Sequence, residues 1–203
     1  MRLDLLSALN AARAERRAAV LVTDLDGGEA RLVTEEGLAG DPLEEAIRAA
    51  LRTGRSGAVE GTRSFLTVQV PAAQMVIIGA VHISQALVPM ARMLGYDPVI
   101  VDPRTAFATP ERFPDVRLLA EWPDDVLPAL NVDRYTAFIA LTHDPKIDDP
   151  ALLHAFGKEC FYIGALGSRR THAKRVERLT AKGAAPDAIA RIKAPIGLAI
   201  GAI

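Results

Sequence analysis

From residue 74 onward, short apolar runs alternate with longer segments in which apolar and polar positions recur at helical spacing. The apolar runs are typical of parallel strands covered on both faces: "MVIIGA", "PVIVD", "YTAFIALT" and "CFYIGAL", with "VRLLA" as a shorter candidate. The segments around them predict helices: "SQALVPMARMLG", "PDDVLPAL", "DDPALLHAFGKE", "SRRTHAKRVERLTAKG" and "PDAIARI". This alternation predicts an α/β domain over residues 71–203, with a doubly wound parallel sheet that binds ligands at the carboxyl ends of its strands.

Residues 1–70 follow a different pattern, with two helical segments and three short strands. The segment "LDLLSALNAARAERRA" predicts an amphipathic helix, and "AVLVTDL" and "ARLVT" predict strands joined as a hairpin by the turn at 26–28. Asp41 and Pro42 are typical N-cap and first helical residues for "PLEEAIRAALRT", which Gly54 ends. With the last strand, "RSFLTVQV", these elements predict a smaller N-terminal α+β domain.

Length, charge and cysteine content narrow the class of protein further. With 203 residues, the chain is long enough for one large domain or two small ones. Its net charge of −1 does not indicate a nucleic-acid or acidic-membrane partner. No apolar run approaches the ~18 residues of a membrane span, and no signal peptide is apparent. The single cysteine, Cys160, leaves no intramolecular disulfide, so we expect a cytoplasmic protein in which Cys160 is a packing residue.

The first predicted strand of the α/β domain runs into a glycine turn that partly matches the dinucleotide fingerprint G-x-G-x-x-G/A. The three positions read Gly79, Val81 and Ser84, so a branched side chain stands where the backbone would approach a pyrophosphate. Asp102 ends the next strand, about where a ribose-binding acid belongs. The alternative is that Gly79 serves only packing and Asp102 only caps a turn. His82 could donate to an anion or cap the helix.

A second polar cluster, "ALTHDPKIDDP", follows the predicted strand "YTAFIALT" directly. His143 and Asp144 come first after the strand and should point into the ligand crevice, where His143 could act as an acid, a base or a ligand. Asp144 could orient His143, and Lys146 could bind an anion. We interpret Asp148 and Asp149 as caps of the following helix.

A third cluster, "YIGALGSRR", joins a strand that reaches Gly164 to a helix that Ser168 opens. A second glycine, Gly167, precedes that helix, and Arg169 and Arg170 lie in its first turn. Two cations at a helix N-terminus oppose the helix dipole, so an external anion explains them better, and arginine suits bidentate phosphate binding. This segment therefore predicts a phosphate site, and a solvated basic helix face is the alternative.

Taken together, these stretches resemble the XdhC/CoxI family of molybdoenzyme maturation factors. The resemblance covers residues 75–203 and rests on "GAVHISQAL", "VDPRTAFATPERFP", "LTHDPKIDDPALL", "YIGALGSRRTHAKRVERL" and "KAPIGLAIGA". It implies a Rossmann-like C-terminal domain that binds a molybdopterin-type cofactor and delivers it to a xanthine dehydrogenase or a related molybdenum hydroxylase. It also implies a homodimer and, in some relatives, cooperation with a cysteine desulfurase.

On this resemblance, the phosphate of the cofactor would bind at the start of the last long helix, between Gly167 and Arg170. The pterin or a nucleotide portion would occupy the crevice formed by Gly79, His82, Asp102 and His143. The chain departs from the family at Val81, where a glycine is usual. It also lacks the cysteine of the family's glycine-rich N-terminal segment near "EGLAGDPLEEA", in a domain that is shortened.

Three hypotheses for function follow. The first is a non-catalytic cofactor carrier, since the four histidines are scattered and no metal set, nucleophile elbow or P-loop occurs. The second is an NAD(P)-dependent oxidoreductase that uses the Gly79 turn, Asp102 and His143, with Arg104 able to meet the 2′-phosphate of NADP. Val81 weighs against that hypothesis. The third is a degenerate scaffold that binds only proteins.

Overall fold

The computed structural model describes residues 2–198, and the chain divides into two compact units between Pro71 and Ala72. The first unit contains an antiparallel sheet and the second a parallel sheet, so the predicted fold classes of both regions are confirmed. The interpretation of residues 1–70 and 71–203 as separate domains stays a prediction. No helix within residues 2–198 is long and apolar enough to cross a membrane. The matching stretch "KAPIGLAIGA" lies partly outside the described residues, from residue 199 onward.

The N-terminal unit is a four-stranded antiparallel sheet with two helices. Its elements are α1 (Leu3–Ala14), β1 (Ala19–Asp24), β2 (Ala30–Thr34), α2 (Glu44–Thr53), β3 (Gly57–Ala58) and β4 (Ser64–Gln69). The strand order is β2-β1-β4-β3, and β1 and β2 form the predicted hairpin. Ile47 of α2 is fully buried against Val20, Val22 and Leu66 of the sheet, which explains why this helix is strongly amphipathic. The sequence did not predict the two-residue strand β3.

The C-terminal unit is a six-stranded parallel sheet flanked by helices. Its elements are β5 (Gln74–Ile78), α3 (His82–Met93), β6 (Asp97–Val101), β7 (Arg117–Leu119), α4 (Pro123–Val126), β8 (Thr136–Ala140), α5 (Pro145–Phe156), β9 (Tyr162–Ala165), α6 (Arg169–Ala181), α7 (Pro186–Ala190) and β10 (Ile192–Lys193). The strand order is β10-β9-β8-β5-β6-β7. The first strand of the unit, β5, thus lies in the middle, and the chain reverses direction across the sheet between β5 and β8. Ligands of such sheets bind beyond the carboxyl ends of the strands at this reversal.

The apolar runs form strands because both faces of this sheet are covered. Val76 and Ile78 of β5 face one side, where they pack in a cluster with residues of α5 and α6 such as Leu152 and Leu179. Ile77 faces the other side, in a cluster with Val88 of α3. The alternation follows from the period-two geometry of a strand, and burial of each such side chain contributes about 1.5–3 kcal/mol.

The start of α5 corrects one prediction. Asp148 and Asp149 do not cap this helix, because it begins earlier, at Pro145. The N-cap is Asp144, whose carboxylate accepts a hydrogen bond from the Lys146 backbone N–H at 2.9 Å. The Asp-Pro pair combines a favourable N-cap with a residue suited to the first helical position, and it outcompetes the later aspartates. Asp148 and Asp149 lie inside α5 and are buried.

Candidate functional site

The carboxyl edge of the parallel sheet gathers the three polar clusters of the sequence. Gly79 follows β5, Asp102 follows β6, His143 lies three residues beyond β8, and Gly167 lies two residues beyond β9. Because β5 and β8 are neighbours, the Gly79 turn and the loop that carries His143 flank the point of reversal. The predicted site residues of different segments are thereby brought to one edge of the sheet.

Gly79 is required by backbone conformation and by a close neighbour. Its φ is +122°, and a Cβ at this position would lie 3.0 Å from Thr142 Cγ2 and 3.3 Å from Thr142 N. The Gly79 N–H donates to the Val101 carbonyl at 2.8 Å, and its own carbonyl accepts from the buried Ser84 hydroxyl at 2.5 Å. These contacts support the packing interpretation of this glycine, whose turn is pressed against the loop after β8.

Asp102 is fully buried, and protein donors engage both of its carboxylate oxygens. It accepts the Ala80 N–H at 2.7 Å and the Arg104 N–H at 3.0 Å. The Arg104 guanidinium adds a bidentate pair at 2.9 and 2.7 Å. Burial opposes ionisation of this carboxyl, but the hydrogen bonds from Arg104 and Ala80 outweigh it and leave the Asp102 pKa below its usual value. Asp102 therefore links the first turn to the next loop and has no oxygen free for a ribose.

The lowered pKa of Asp102 predicts a specific dependence of stability on pH. A carboxyl whose pKa is lower in the folded state stabilises the fold above its unfolded pKa, and this contribution is lost as the pH falls through the folded value. We expect Asp102→Asn to cost about 1–3 kcal/mol at pH 7. The difference from the native chain should shrink as the pH falls below the usual carboxyl range.

Urea unfolding from pH 7 to pH 3, followed by fluorescence of Trp122, measures this difference. The chain contains one tryptophan, and it lies in the C-terminal unit, so the signal reports on that unit. The matched control is Asp187→Asn, an exposed carboxyl of the same unit, which should retain the native pH profile. A constant difference between Asp102→Asn and the native chain at every pH would contradict the prediction.

A second arginine, Arg112, clasps the first turn from the loop after β6. It donates to the Ala80 carbonyl at 3.0 Å, to the Phe107 carbonyl at 2.7 Å and to Gln85 Oε1 at 3.2 Å. The Arg104 guanidinium lies 4.7 Å from the centre of the Phe107 ring. Sequence reasoning did not select Arg112, although it belongs to the stretch "VDPRTAFATPERFP" that carries the family resemblance.

The loop after β8 is organised by Asp148, for which the sequence suggested only a capping role. The Asp148 carboxylate accepts the Thr142 hydroxyl at 2.6 Å, the Thr142 N–H at 3.3 Å and the His143 N–H at 3.0 Å. His143 has a positive φ of +63° and an exposed side chain. Burial raises the Asp148 pKa despite these donors and the charge of Arg175. Asp148 thus holds the strained backbone that presents His143 at the sheet edge.

Behind this loop, the two buried aspartates of α5 face a row of basic residues on α6. Asp149 forms a bidentate pair with Arg178, at 2.7 and 3.0 Å. Asp148 Oδ2 lies 3.9 Å from Arg175 Nη2, which donates to the Leu166 carbonyl at 2.8 Å. Burial lowers the pKa of Arg175, and its buried Nε and Nη1 atoms find no hydrogen-bond partner in the part of the chain that the structure describes. One of the two charged pairs is therefore well matched and the other is only partly compensated.

A cavity of about 250 Å³ lies between the start of α5 and the first half of α6. Its lining residues are His143, Pro145, Asp148, Arg170, Thr171, Lys174, Arg175 and Arg178. Gly167 adjoins it, since a Cβ there would lie 3.0 Å from Thr171 Cγ2 and 3.6 Å from His143 Nδ1. Ser168 caps α6 by accepting the Thr171 N–H at 3.1 Å, as its position predicts. The structure thus places the second and third polar clusters around one cavity.

Of the eleven predicted site residues, Asp144 and Ser168 are the N-caps of α5 and α6, and the other nine fall into two groups and three outliers. His143, Gly167 and Arg170 surround the cavity, and Gly79, Asp102 and Arg104 form the first turn and its support. The pKa of Arg104 is raised mainly by Asp102 but also by Asp144 and Asp148, so the two groups share an electrostatic environment. The outliers are His82, Arg169 and Gly164.

The three outliers have different settings. His82 is the exposed first residue of α3, and Arg169 is exposed and does not line the cavity. Gly164 is buried in β9, where a Cβ would lie 2.5 Å from Ile196 Cδ1 and 2.7 Å from Tyr162 Cε1. It serves packing in this structure. Within residues 2–198, no group of three or more His, Cys, Asp or Glu side chains is placed to hold a metal ion.

Comparison with known proteins identifies the relatives of this chain. Residues 75–203 match the family model of the XdhC Rossmann domain. The chain is 31% identical over 128 residues to the molybdenum cofactor insertion chaperone PaoD of Escherichia coli K12, a match that covers 63% of this chain and 34% of PaoD. It is 25% identical over 191 residues to a probable xanthine dehydrogenase subunit of Bacillus subtilis, a match that covers 92% of this chain and 56% of that protein.

A solved structure shares the fold. The crystal structure of a xanthine dehydrogenase from Bacillus halodurans superposes with a TM-score of 0.66 at 24% sequence identity, covering all of this chain and 60% of the other. The chain thus spans between about a third and three fifths of the length of these relatives.

Proposed function

The chain belongs to the XdhC family, and on that premise we propose that it binds a molybdopterin-type cofactor at the carboxyl edge of its parallel sheet and delivers it to a molybdenum hydroxylase. The observation that carries the proposal is the basic cavity beside His143. The names of two relatives, a molybdenum cofactor insertion chaperone and a probable xanthine dehydrogenase subunit, support this cargo. In this proposal the chain is a carrier and not a catalyst.

The residues present fit a phosphorylated pterin. The phosphate requires cationic donors, and the cavity offers Arg170 and Lys174 at its surface with Arg175 buried behind them. The pterin would lie beside His143 at the carboxyl edge of the sheet, where parallel sheets of this order bind their ligands. When bound, the cofactor carries the molybdenum that the client enzyme needs. The kind of phosphate group that the cavity accepts would determine whether the chain binds the pterin with or without an added nucleotide.

The first turn gives less support to an NAD(P)-dependent oxidoreductase. The acid that would bind the ribose, Asp102, already accepts from Ala80 and Arg104 with both oxygens. Arg104, which could have met the 2′-phosphate of NADP, is held in that pair. The Ala80 N–H points to Asp102, and Val81 adds a branched side chain where a pyrophosphate would approach.

The proposal extends to partners and location. We propose a molybdenum hydroxylase apoenzyme as the client, a cysteine desulfurase as a second partner, a homodimer as the working form and the cytoplasm as its place. The basis is the family membership of residues 75–203. These partners would meet the cofactor at the open edge where His143 is exposed.

Retention of the cofactor tests the carrier function directly. The purified chain is mixed with molybdopterin under anoxic conditions and separated by gel filtration, and we expect the pterin to elute with the protein. A parallel fluorescence titration with NADH and NADPH should show binding of about millimolar strength or weaker. A folded chain that retains no pterin would refute the carrier function, and micromolar binding of NADH or NADPH would favour the oxidoreductase. The retained complex should also activate a xanthine dehydrogenase apoenzyme faster than the same amount of free cofactor.

A further inference from the structure

We propose that the cavity between α5 and α6 is a binding site for a terminal phosphate group, that is, a phosphomonoester or inorganic phosphate. This inference deepens the proposed function and rests on it for the identity of the larger ligand. It differs from the sequence-based site, which placed the phosphate on the backbone and arginines between Gly167 and Arg170. The structure retains Arg170, places Arg169 outside the cavity, and adds Lys174 and Arg175, one turn further along α6.

Three basic side chains of α6 lie on the face of the helix that lines the cavity. Arg170, Lys174 and Arg178 follow one another at intervals of four residues, so they lie on one face of the helix and line the cavity together. Arg169 precedes them by one position and lies outside the cavity. Arg169 and Arg170 are both exposed, but only Arg170 lines the cavity. The two adjacent arginines, which the sequence could not distinguish, therefore have different roles.

The positive charges that line the cavity are only partly balanced by carboxylates. Arg178 is matched by Asp149 in a bidentate pair. Within residues 2–198, no carboxylate lies within ion-pair distance of Arg170 or Lys174. Asp148 lies opposite Arg175, but at 3.9 Å and without a hydrogen bond between them. The cavity therefore carries more positive charge than its own carboxylates compensate.

One of the cations that line the cavity, Arg175, is buried. The Arg175 side chain is 2% exposed, and its Nε and Nη1 atoms have no hydrogen-bond partner among residues 2–198. Buried N–H groups of a guanidinium almost always have an acceptor, and an uncompensated buried charge is costly. Arg175 lines the cavity, so an oxyanion bound there would offset its charge and offer an acceptor that residues 2–198 do not supply. This guanidinium, which like Arg170 and Lys174 lacks a close carboxylate partner in the described residues, indicates an anionic ligand.

The size and the charge of the cavity match a terminal phosphate group. A cavity of about 250 Å³ is smaller than the range of about 300–1,000 Å³ typical of whole ligand pockets, so it suits one group of a ligand. A phosphomonoester carries about −1.5 to −2 charges near pH 7, whereas a diester carries about −1. The three cations Arg170, Lys174 and Arg175 fit the more highly charged group. The expected cargo therefore presents a free phosphate group to this cavity.

Isothermal titration of the full chain with inorganic phosphate, glycerol phosphate and dimethyl phosphate tests the site. We expect saturable binding of inorganic phosphate and the monoester, and binding of the diester at least tenfold weaker. Arg170→Gln and Lys174→Gln should each weaken binding of the monoester about tenfold. The matched control, Arg169→Gln, removes the same charge from the same helical turn and should leave binding unchanged. All three side chains lie outside the buried core, so none of these variants disturbs it.

Each other outcome overturns a defined part of the proposal. Absence of saturable phosphate binding to the native chain, or equal effects of Arg169→Gln and Arg170→Gln, would refute the cavity as the site. Glycerol phosphate and dimethyl phosphate binding alike would refute the assignment to a terminal phosphate. Saturable inorganic phosphate with no binding of glycerol phosphate would identify a site for the free ion and refute its role in holding the cofactor. Pterin retention without any phosphate binding would refute this site and leave the carrier function standing. Phosphate binding without pterin retention would refute the carrier function and leave the phosphate site standing.

Discussion

Replacement of Asp148 by alanine is expected to lower the free energy of unfolding of the C-terminal unit by about 3–5 kcal/mol, as for other broken buried ion pairs. The substitution removes the acceptor of three donors, the Thr142 N–H and hydroxyl and the His143 N–H. It also removes from the buried Arg175 the carboxylate at ion-pair distance, which leaves Asp149 as its more distant countercharge. The backbone of His143, which has a positive φ, would lose the contact that holds it.

Urea unfolding followed by Trp122 fluorescence measures this cost, and two further variants interpret it. Asp144→Ala removes only the N-cap from the same helix and should cost about 1 kcal/mol. Addition of Arg175→Met to Asp148→Ala should restore part of the lost stability, because it removes the uncompensated charge. The prediction is wrong if Asp148→Ala costs no more than Asp144→Ala, or if the double variant is as unstable as the sum of its parts.

Replacement of Gly79 by alanine is expected to cost about 2–5 kcal/mol, the sum of backbone strain and overpacking. The φ of +122° is a conformation that residues with a Cβ rarely adopt. The added methyl group would also lie 3.3 Å from the Thr142 backbone nitrogen. This nitrogen cannot easily move away, because its N–H donates a hydrogen bond to the Asp148 carboxylate. The substitution should therefore disturb both loops at the point of reversal.

Gly95→Ala separates the two parts of this cost. Gly95 also has a positive φ, of +81°, but a Cβ there would meet no atom within 4 Å. We expect about 1–2 kcal/mol for this control, which carries only the strain of the left-handed conformation. Equal losses for Gly79→Ala and Gly95→Ala, measured by the same fluorescence assay, would show that the contact with Thr142 adds nothing.

Much of the fold was predictable because its signals are local. Apolar runs such as residues 75–80 form strands since a doubly wound sheet is covered on both faces, and this pattern needs no partner information. The hairpin of β1 and β2 and the cap at Ser168 also follow from short stretches of sequence. The strand β10, with two residues, was missed because it owes its existence to pairing with β9 and not to a run of its own.

The site was predicted in its parts and not in its connections. His143 and Arg170 were both selected, yet their placement around one cavity depends on the packing of α5 against α6. Asp148 was misinterpreted because its donors come from the preceding loop, and because its charged neighbour Arg175 is remote in sequence. A signal was present for the basic face of α6: the four-residue spacing of Arg170, Lys174 and Arg178 identifies residues that lie together on a helix.

The shortness of the outermost strands of the parallel sheet limits how other chains can approach it. β7 has three residues and β10 has two, so each exposes few unpaired backbone groups along its outer side. A long, flat outer strand would offer a template for strand addition and amyloid-like stacking. Here the buried, strongly apolar central strands β5 and β8 are shielded from such pairing by their own neighbours. The domain can therefore keep an aggregation-prone core sequence while leaving little backbone for intermolecular β-pairing.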